Sequence, residues 1–195
     1  GDIYPVVARS LRQLHRGTLF GNRKTVFERL EAHVDLAKTK NIRLPVDFEW
    51  MLENVRVAGL AIRAAGEDYA PCHTDLIASN ILVNGDGPVM FIDWDEACDS
   101  DPHWDLGMYM AEAFPFDDGA LQMLECYCGK PDRTILARGR LYGIAGDLSW
   151  AVRSLILAHQ ASRADIEYFK YAQWRALRCR VALHDPKFEQ MLRAI

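Results

Sequence analysis

The sequence predicts a mostly helical α+β fold. Three observations carry this. Apolar residues recur at spacings of three and four over most of the chain. One stretch breaks that rhythm: two short apolar runs, Ile81-Leu82-Val83 and Val89-Met90-Phe91-Ile92, flank a turn cluster at 84–88. Helix start and stop residues bracket the periodic segments on both sides of it.

Val7, Leu11 and Leu14 predict a first helix, with Gly17 as its left-handed stop. Phe27, Leu30, Val34 and Ala37 share one face of a second, over 24–40. Asp47 is placed to cap a third, which carries Met51, Leu52, Val55 and Ile62 and ends at Gly66. No helical period runs through 71–80. The two apolar runs around Asn84-Gly85-Asp86-Gly87-Pro88 then predict a β-hairpin. Helical pattern returns after Asp101-Pro102, with Asp101 as cap and Pro102 in the first turn. A long helix is predicted over 132–161, where Gly143 and Gly146 allow a bend or a close neighbour. Two more follow, over 164–183 and 186–193. There is no internal repeat, low-complexity segment or linker, so 1–195 reads as one domain.

Composition excludes more than it identifies. The formal charge is −4 and no basic stripe runs along the chain, which argues against nucleic acid. No apolar run approaches the ~20 residues that span a bilayer. The first residues lack the basic-then-apolar pattern of a secretory signal. Cys72, Cys98, Cys126, Cys128 and Cys179 are odd in number and make no Cys-x-x-Cys pair. They read as reduced, mostly buried thiols of a cytoplasmic protein. Trp50, Trp104 and Trp174 read as packing, and His15, His33, His103, His159 and His184 as surface or helix-end residues.

The chemistry concentrates around the hairpin. His73, Asp75 and Asn80 spell His-x-Asp-x-x-x-x-Asn ahead of it, and Asp93 follows it. A hairpin brings its two ends together, so Asn80 and Asp93 are expected side by side. An amide oxygen and a carboxylate are hard ligands that suit Mg²⁺. Asp75, on the preceding loop, is placed to take a proton from a hydroxyl while the metal neutralises a transferring phosphoryl group. That is the arrangement of a kinase. The bland alternatives are a loop-capping carboxylate for Asp75, a turn residue for Asn80 and a strand-end cap for Asp93.

These segments resemble the choline/ethanolamine kinase and aminoglycoside phosphotransferase families, within the protein-kinase-like superfamily. Cys72-His73-Thr74-Asp75-Leu76-Ile77-Ala78-Ser79-Asn80-Ile81-Leu82 is similar to their catalytic loop. Phe91-Ile92-Asp93-Trp94-Asp95 is similar to their metal-binding segment, and Asp101-Pro102-His103-Trp104-Asp105-Leu106-Gly107 to the helix start that follows. Leu11-Arg12-Gln13-Leu14-His15 resembles the helix after their interlobe hinge. The resemblance implies a C-terminal catalytic and substrate-binding lobe that uses ATP and Mg²⁺. It implies Asp75 as catalytic base, Asn80 and Asp93 as metal ligands, and Asp95 as an acidic support near them. His73 and Asp105 would hold the loop in shape. Thr74 and Trp94-Asp95 depart from protein kinases proper.

Gly146-Asp147-Leu148-Ser149-Trp150-Ala151-Val152-Arg153 and Tyr171-Ala172-Gln173 resemble choline/ethanolamine kinase segments whose aromatics enclose a quaternary ammonium. On that match Trp150 and Tyr171 bind the substrate, choline or ethanolamine. Without it, packing explains both rings equally well. Arg153 stands where a second aromatic is common. Two alternatives remain open: a kinase for an aminoglycoside or other small metabolite, with Asp117, Asp118 and Glu125 as acidic contacts, and a non-catalytic small-molecule binding module. Residues 1–70 show neither a glycine-rich turn between strands nor a strand-borne lysine. The expectation is therefore that the ATP-covering N-terminal lobe is absent and that these residues alone are inactive.

Overall fold

A computed structural model describes residues 2–84, 88–161 and 165–195, apart from the side chain of Asp165. Helices α1 (Tyr4–Leu14), α2 (Val26–Thr39) and α3 (Phe48–Ala65) come first. Strands β1 (Ala70–Cys72), β2 (Ile81–Val83), β3 (Val89–Phe91) and β4 (Cys98–Ser100) follow. Helices α4 (His103–Ala113), α5 (Asp117–Cys128), α6 (Arg133–Gln160), α7 (Asp165–His184) and α8 (Lys187–Ala194) complete the chain.

The core is built around α6, which packs against α2, α3, α4, α5, α7 and α8. Its middle is buried on all sides, from Leu141 to Ser149. The crossing with α4 depends on glycine. A Cβ on Gly107 would lie 2.2 Å from the Gly139 carbonyl oxygen, and one on Gly143 would lie 2.8 Å from the Gly107 carbonyl oxygen. Backbone therefore touches backbone where these helices cross, which no larger residue permits. Gly143 serves the close-neighbour reading rather than a bend, because α6 runs unbroken.

The hairpin forms as predicted, with Ile81 opposite Phe91 and Val83 opposite Val89. Its turn lies partly outside the described residues. A second antiparallel pair was not legible: β1 and β4, with Cys72 opposite Cys98. Each is three residues long and buried throughout, so neither shows an alternating pattern. This pair encloses the hairpin and the loops on either side of it. The break between α4 and α5 was likewise not resolved in the sequence.

The cap assignments need correction in part. Gly17 does not adopt a left-handed φ; α1 ends at His15 in a right-handed conformation. A Cβ on Gly17 would sit 2.9 Å from the Leu14 carbonyl oxygen, so close approach accounts for this glycine. Asp47 makes no cap bond. Arg180 of α7 takes its carboxylate in a two-nitrogen fork, a charge-assisted arrangement stronger than one bond to an amide. α2 starts at a full capping box between Thr25 and Glu28, and Asp132 caps α6 through the amides of Thr134 and Ile135. Asp101 accepts from the His103 amide at 2.9 Å, ahead of α4. Trp104 is buried as expected, but Trp174 is exposed.

Candidate active site

The loop between β1 and β2 carries His73, Thr74 and Asp75, all buried. Its backbone hangs on one side chain. Asp105, in the first turn of α4 and fully buried, accepts from the His73 amide at 2.8 Å and the Thr74 amide at 2.6 Å. Its Oδ2 also meets Nε2 of His15 at 3.0 Å, and the other nitrogen of that ring meets the Tyr127 hydroxyl at 2.8 Å. His15 is thus an internal residue, not the surface histidine its helix-end position predicts.

His73 links this loop to the far end of the hairpin. Nε2 lies 2.8 Å from the Ile92 carbonyl oxygen, which can only accept, so Nε2 carries the proton. Nδ1 then accepts from the Asp75 amide at 3.3 Å. The imidazole lies 4.7 Å from the Trp94 ring, and the indole nitrogen of Trp94 donates to the Phe91 carbonyl at 2.9 Å.

Asp75 and Asn80 are in direct contact. The Asn80 amide nitrogen donates to the Asp75 backbone carbonyl at 2.9 Å and to Asp75 Oδ2 at 3.1 Å. Oδ1 of Asp75 is buried with no hydrogen-bond partner. Burial pushes the Asp75 carboxyl above the ordinary carboxylate range, and the Asp93 charge adds to that. Arg175, His73 and the Asn80 bond oppose the rise. Across the hairpin the Ile92 amide donates to the Asn80 carbonyl at 3.0 Å, so the ladder sets Asn80 beside the chain that enters Asp93. Asp93 is exposed and takes φ +63°, a left-handed conformation uncommon outside glycine. Asp95 is exposed on the next turn, closed by the Ala97 amide and the Trp94 carbonyl at 3.0 Å.

The donor set fits a hard divalent cation. Both Asn80 bonds are made through nitrogen, which leaves its amide oxygen uncommitted to Asp75, and the Asp93 carboxylate forms no ion pair among the described residues. Asp75, Asp93 and Asp95 do not bring their oxygens within 4.8 Å of one another, so they are not a preformed acidic cage. His15, Cys72 and Asp105 are that close, but Asp105 is committed to loop amides and burial pushes the Cys72 thiol far up.

Trp150 on α6 and Tyr171 on α7 meet edge to face, 6.2 Å between ring centroids. Each ring already has a guanidinium over it: Arg153 lies 5.2 Å from the Trp150 centroid and Arg175 5.3 Å from that of Tyr171. Arg153 is also paired with Glu96, in the loop that follows β3. Trp150 lines a small pocket with Arg29, His33, Glu96 and Arg153. A larger cavity of about 760 Å³ lies among α4, α5, α6, α7 and α8; Asp117 lines it, but Asp75, Asn80, Asp93, Trp150 and Tyr171 do not. Asp117 is paired with Arg140 and Lys187.

Sequence reasoning missed two groups of charged residues beside these. Arg175 is fully buried and bonded to Glu112 at 3.3 Å and Asp147 at 2.9 Å, and Arg178 meets the same two acids. Burial pushes Asp147 up to about 6, against the pull of Arg175 and Arg178. Arg29 and Glu96 form the other group. The available signal was position. Arg29 falls on the face of Val26, Leu30 and Val34, and Arg175 on that of Ala172 and Cys179, where an apolar residue is expected.

A model of the "Phosphotransferase enzyme family" matches residues 1–142, which include Asp75, Asn80 and Asp93 and stop short of Trp150. The LicA protein of Haemophilus influenzae is 26% identical over 136 residues, or 65% of this chain and 48% of LicA. The chain thus spans about half the length of that relative. Among solved structures, a choline/ethanolamine kinase family protein from Mesorhizobium loti superposes with a TM-score of 0.89 at 27% identity. The match covers 99% of this chain and 66% of that one. The choline kinase LicA of Streptococcus pneumoniae gives a TM-score of 0.76 at 21% identity, over 92% of this chain and 62% of its own. The match along residues 1–142 covers well over half the chain: it belongs to the phosphotransferase enzyme family.

Proposed function

We propose that these residues form the catalytic and acceptor-binding part of an ATP-dependent kinase for a small alcohol, with choline or ethanolamine as acceptor. The observation that carries this reading is the pairing of Asp75 with Asn80. A buried carboxylate keeps one oxygen free, and the neighbouring amide is turned so that its own oxygen is free as well.

In this reading Asp75 Oδ1 accepts the proton of the acceptor hydroxyl, whose oxygen attacks the γ-phosphorus of ATP as the bond to ADP breaks. Asn80 and Asp93 would hold Mg²⁺, with Asp95 in support. When bound, the ion offsets charge on the phosphate oxygens. Asp105 and His73 keep the loop in shape from below, and Trp150 and Tyr171 form the acceptor wall. The similarity to LicA and to the Mesorhizobium protein supports this class of acceptor. The described strands are two short pairs, and the chain covers 66% of the Mesorhizobium protein. Both support a separate β-rich lobe as the source of the lysine that reaches the ATP phosphates. The thiols form no disulfide among the described residues and no described helix is long and apolar enough to cross a membrane, which fits a cytoplasmic setting.

The test is a screen of the protein with its nucleotide lobe against choline, ethanolamine and a panel of aminoglycosides, reading ADP release. Turnover with choline or ethanolamine that is lost in Asp75→Asn is expected. Preference for an aminoglycoside would replace the acceptor, and turnover independent of Asp75 would remove the base.

A further inference from the structure

Arg29 projects from α2 into the core, with 6% of its surface exposed. One nitrogen, Nη2, donates to the Thr74 hydroxyl at 3.1 Å and to the Glu96 backbone carbonyl at 2.9 Å. Nη1 lies 3.5 Å from the Glu96 carboxylate, and the guanidinium stacks 4.4 Å over the Trp104 ring. The Thr74 hydroxyl in turn donates to the same Glu96 carbonyl at 2.6 Å. Thr74 precedes Asp75 by one residue, and Glu96 follows Asp93 by three. A single guanidinium and a single hydroxyl thus tie the loop of the base to the loop of the metal.

The tie acts on a strained backbone. Thr74 holds φ at +64°. For a β-branched residue this conformation is unfavourable and persists only where surrounding bonds impose it. The direction in which the chain leaves Thr74 sets where the Asp75 carboxylate points. The bonds that impose the conformation are the Thr74 amide to Asp105, below the loop, and, beside it, Arg29 to the Thr74 hydroxyl and that hydroxyl to the Glu96 carbonyl. Glu96 continues the chain of contacts: its other carboxylate oxygen pairs with Arg153, which lies over Trp150. Arg29 is therefore the point where the base loop, the metal loop and the wall on α6 meet.

We infer that Arg29 is a positioning residue for phosphoryl transfer, holding the Asp75 loop and the Asp93 loop in register through Thr74 and Glu96. The inference rests on the proposed role of Asp75. A group that only stabilised the fold would change melting and leave the chemical step alone. A positioning group changes kcat and the local order of two loops together.

The experiment compares Arg29→Met, Arg29→Lys and Thr74→Val with the parent in the protein that includes its nucleotide lobe. Thr74→Val keeps the branched shape and deletes both hydroxyl bonds, so it serves if Arg29→Met does not fold. Steady-state rates are measured alongside amide hydrogen exchange. The expected result is a 10- to 100-fold fall in kcat, with acceptor and ATP KM changed less than threefold. Exchange should quicken in 73–76 and 92–97 and stay unchanged in α6 and α7. Arg29→Lys should recover part of kcat, because one ammonium reaches only one of the two loops at a time. Unchanged kcat in Thr74→Val and Arg29→Lys would overturn the inference, as would a loss of rate without faster exchange in both loops. Full activity of Asp75→Asn would instead sink the proposed function, so the two failures are distinguishable.

Discussion

Opposing forces act on the carboxyl of Asp75. Burial and Asp93 favour its proton, while Arg175, His73 and Asn80 favour its charge, and the balance lies above the ordinary carboxylate range. In the proposed role of base Asp75 works only when ionised, so the acid limb of the pH–rate profile should fall at higher pH than an exposed aspartate would give. Asp75→Asn should lower kcat by about 10²- to 10⁴-fold, read in a coupled ADP assay, without lowering the melting temperature. Asp93→Ala should weaken binding of the magnesium nucleotide, measured by calorimetry. Arg153 offers a third measurement. Its charge sits over the ring proposed to face an ammonium, so Arg153→Phe should lower the KM for choline. A cation–π contact contributes about 0.5–2 kcal/mol, so a change of roughly threefold or more is expected.

Among the elements, the hairpin was readable because it is bounded by turn residues and has apolar runs on both sides. Its placement of Asn80 beside the entry to Asp93 follows from strand pairing alone. β1 and β4 were not readable, because three buried residues carry no period. The base loop was legible in residue type but not in its support. His15 is 90 residues from Asp105 and Arg29 is 45 from Thr74, in no fixed pattern of sequence, and only the fold brings them together. Arg29 and Arg175 do leave a trace, as charges on otherwise apolar helix faces. The α4–α6 crossing is the element-level feature most open to test. In Gly107→Ala the new methyl would meet the Gly139 carbonyl oxygen at 2.2 Å and the Gly143 nitrogen at 2.7 Å. Neither backbone atom can rotate away, so the helices must separate. A loss of about 3 kcal/mol or more is expected, read as a lower midpoint in urea.

For the molecule as a whole, one half-buried histidine should shape the response to acid. His33 of α2 faces Ser149 of α6 at 3.2 Å. Burial, with Arg153 nearby, lowers it from 6.5 to about 4. The unfolded chain therefore takes up this proton before the folded chain does. The contribution is fully present above pH 6.5 and is lost as pH falls toward 4. At about 1.4 kcal/mol per pH unit its upper bound is about 3.5 kcal/mol, and solvent screening of the partly exposed ring reduces it to roughly 2 kcal/mol. Denaturation midpoints should drop across that window, and His33→Gln should flatten the drop.

The glycine seam where α4 meets α6 bears on turnover as well as stability. Asp105, which carries the base loop, is two residues from Gly107, and Trp150 is seven residues from Gly143 on the same helix. Two helices welded at their main chains cannot slide past each other as residues packed through long side chains do. The spacing between the proposed proton acceptor, Asp75, and the proposed acceptor wall is thus fixed once, at folding. An alcohol too long or too short for that gap meets a rigid gauge rather than an adjustable grip.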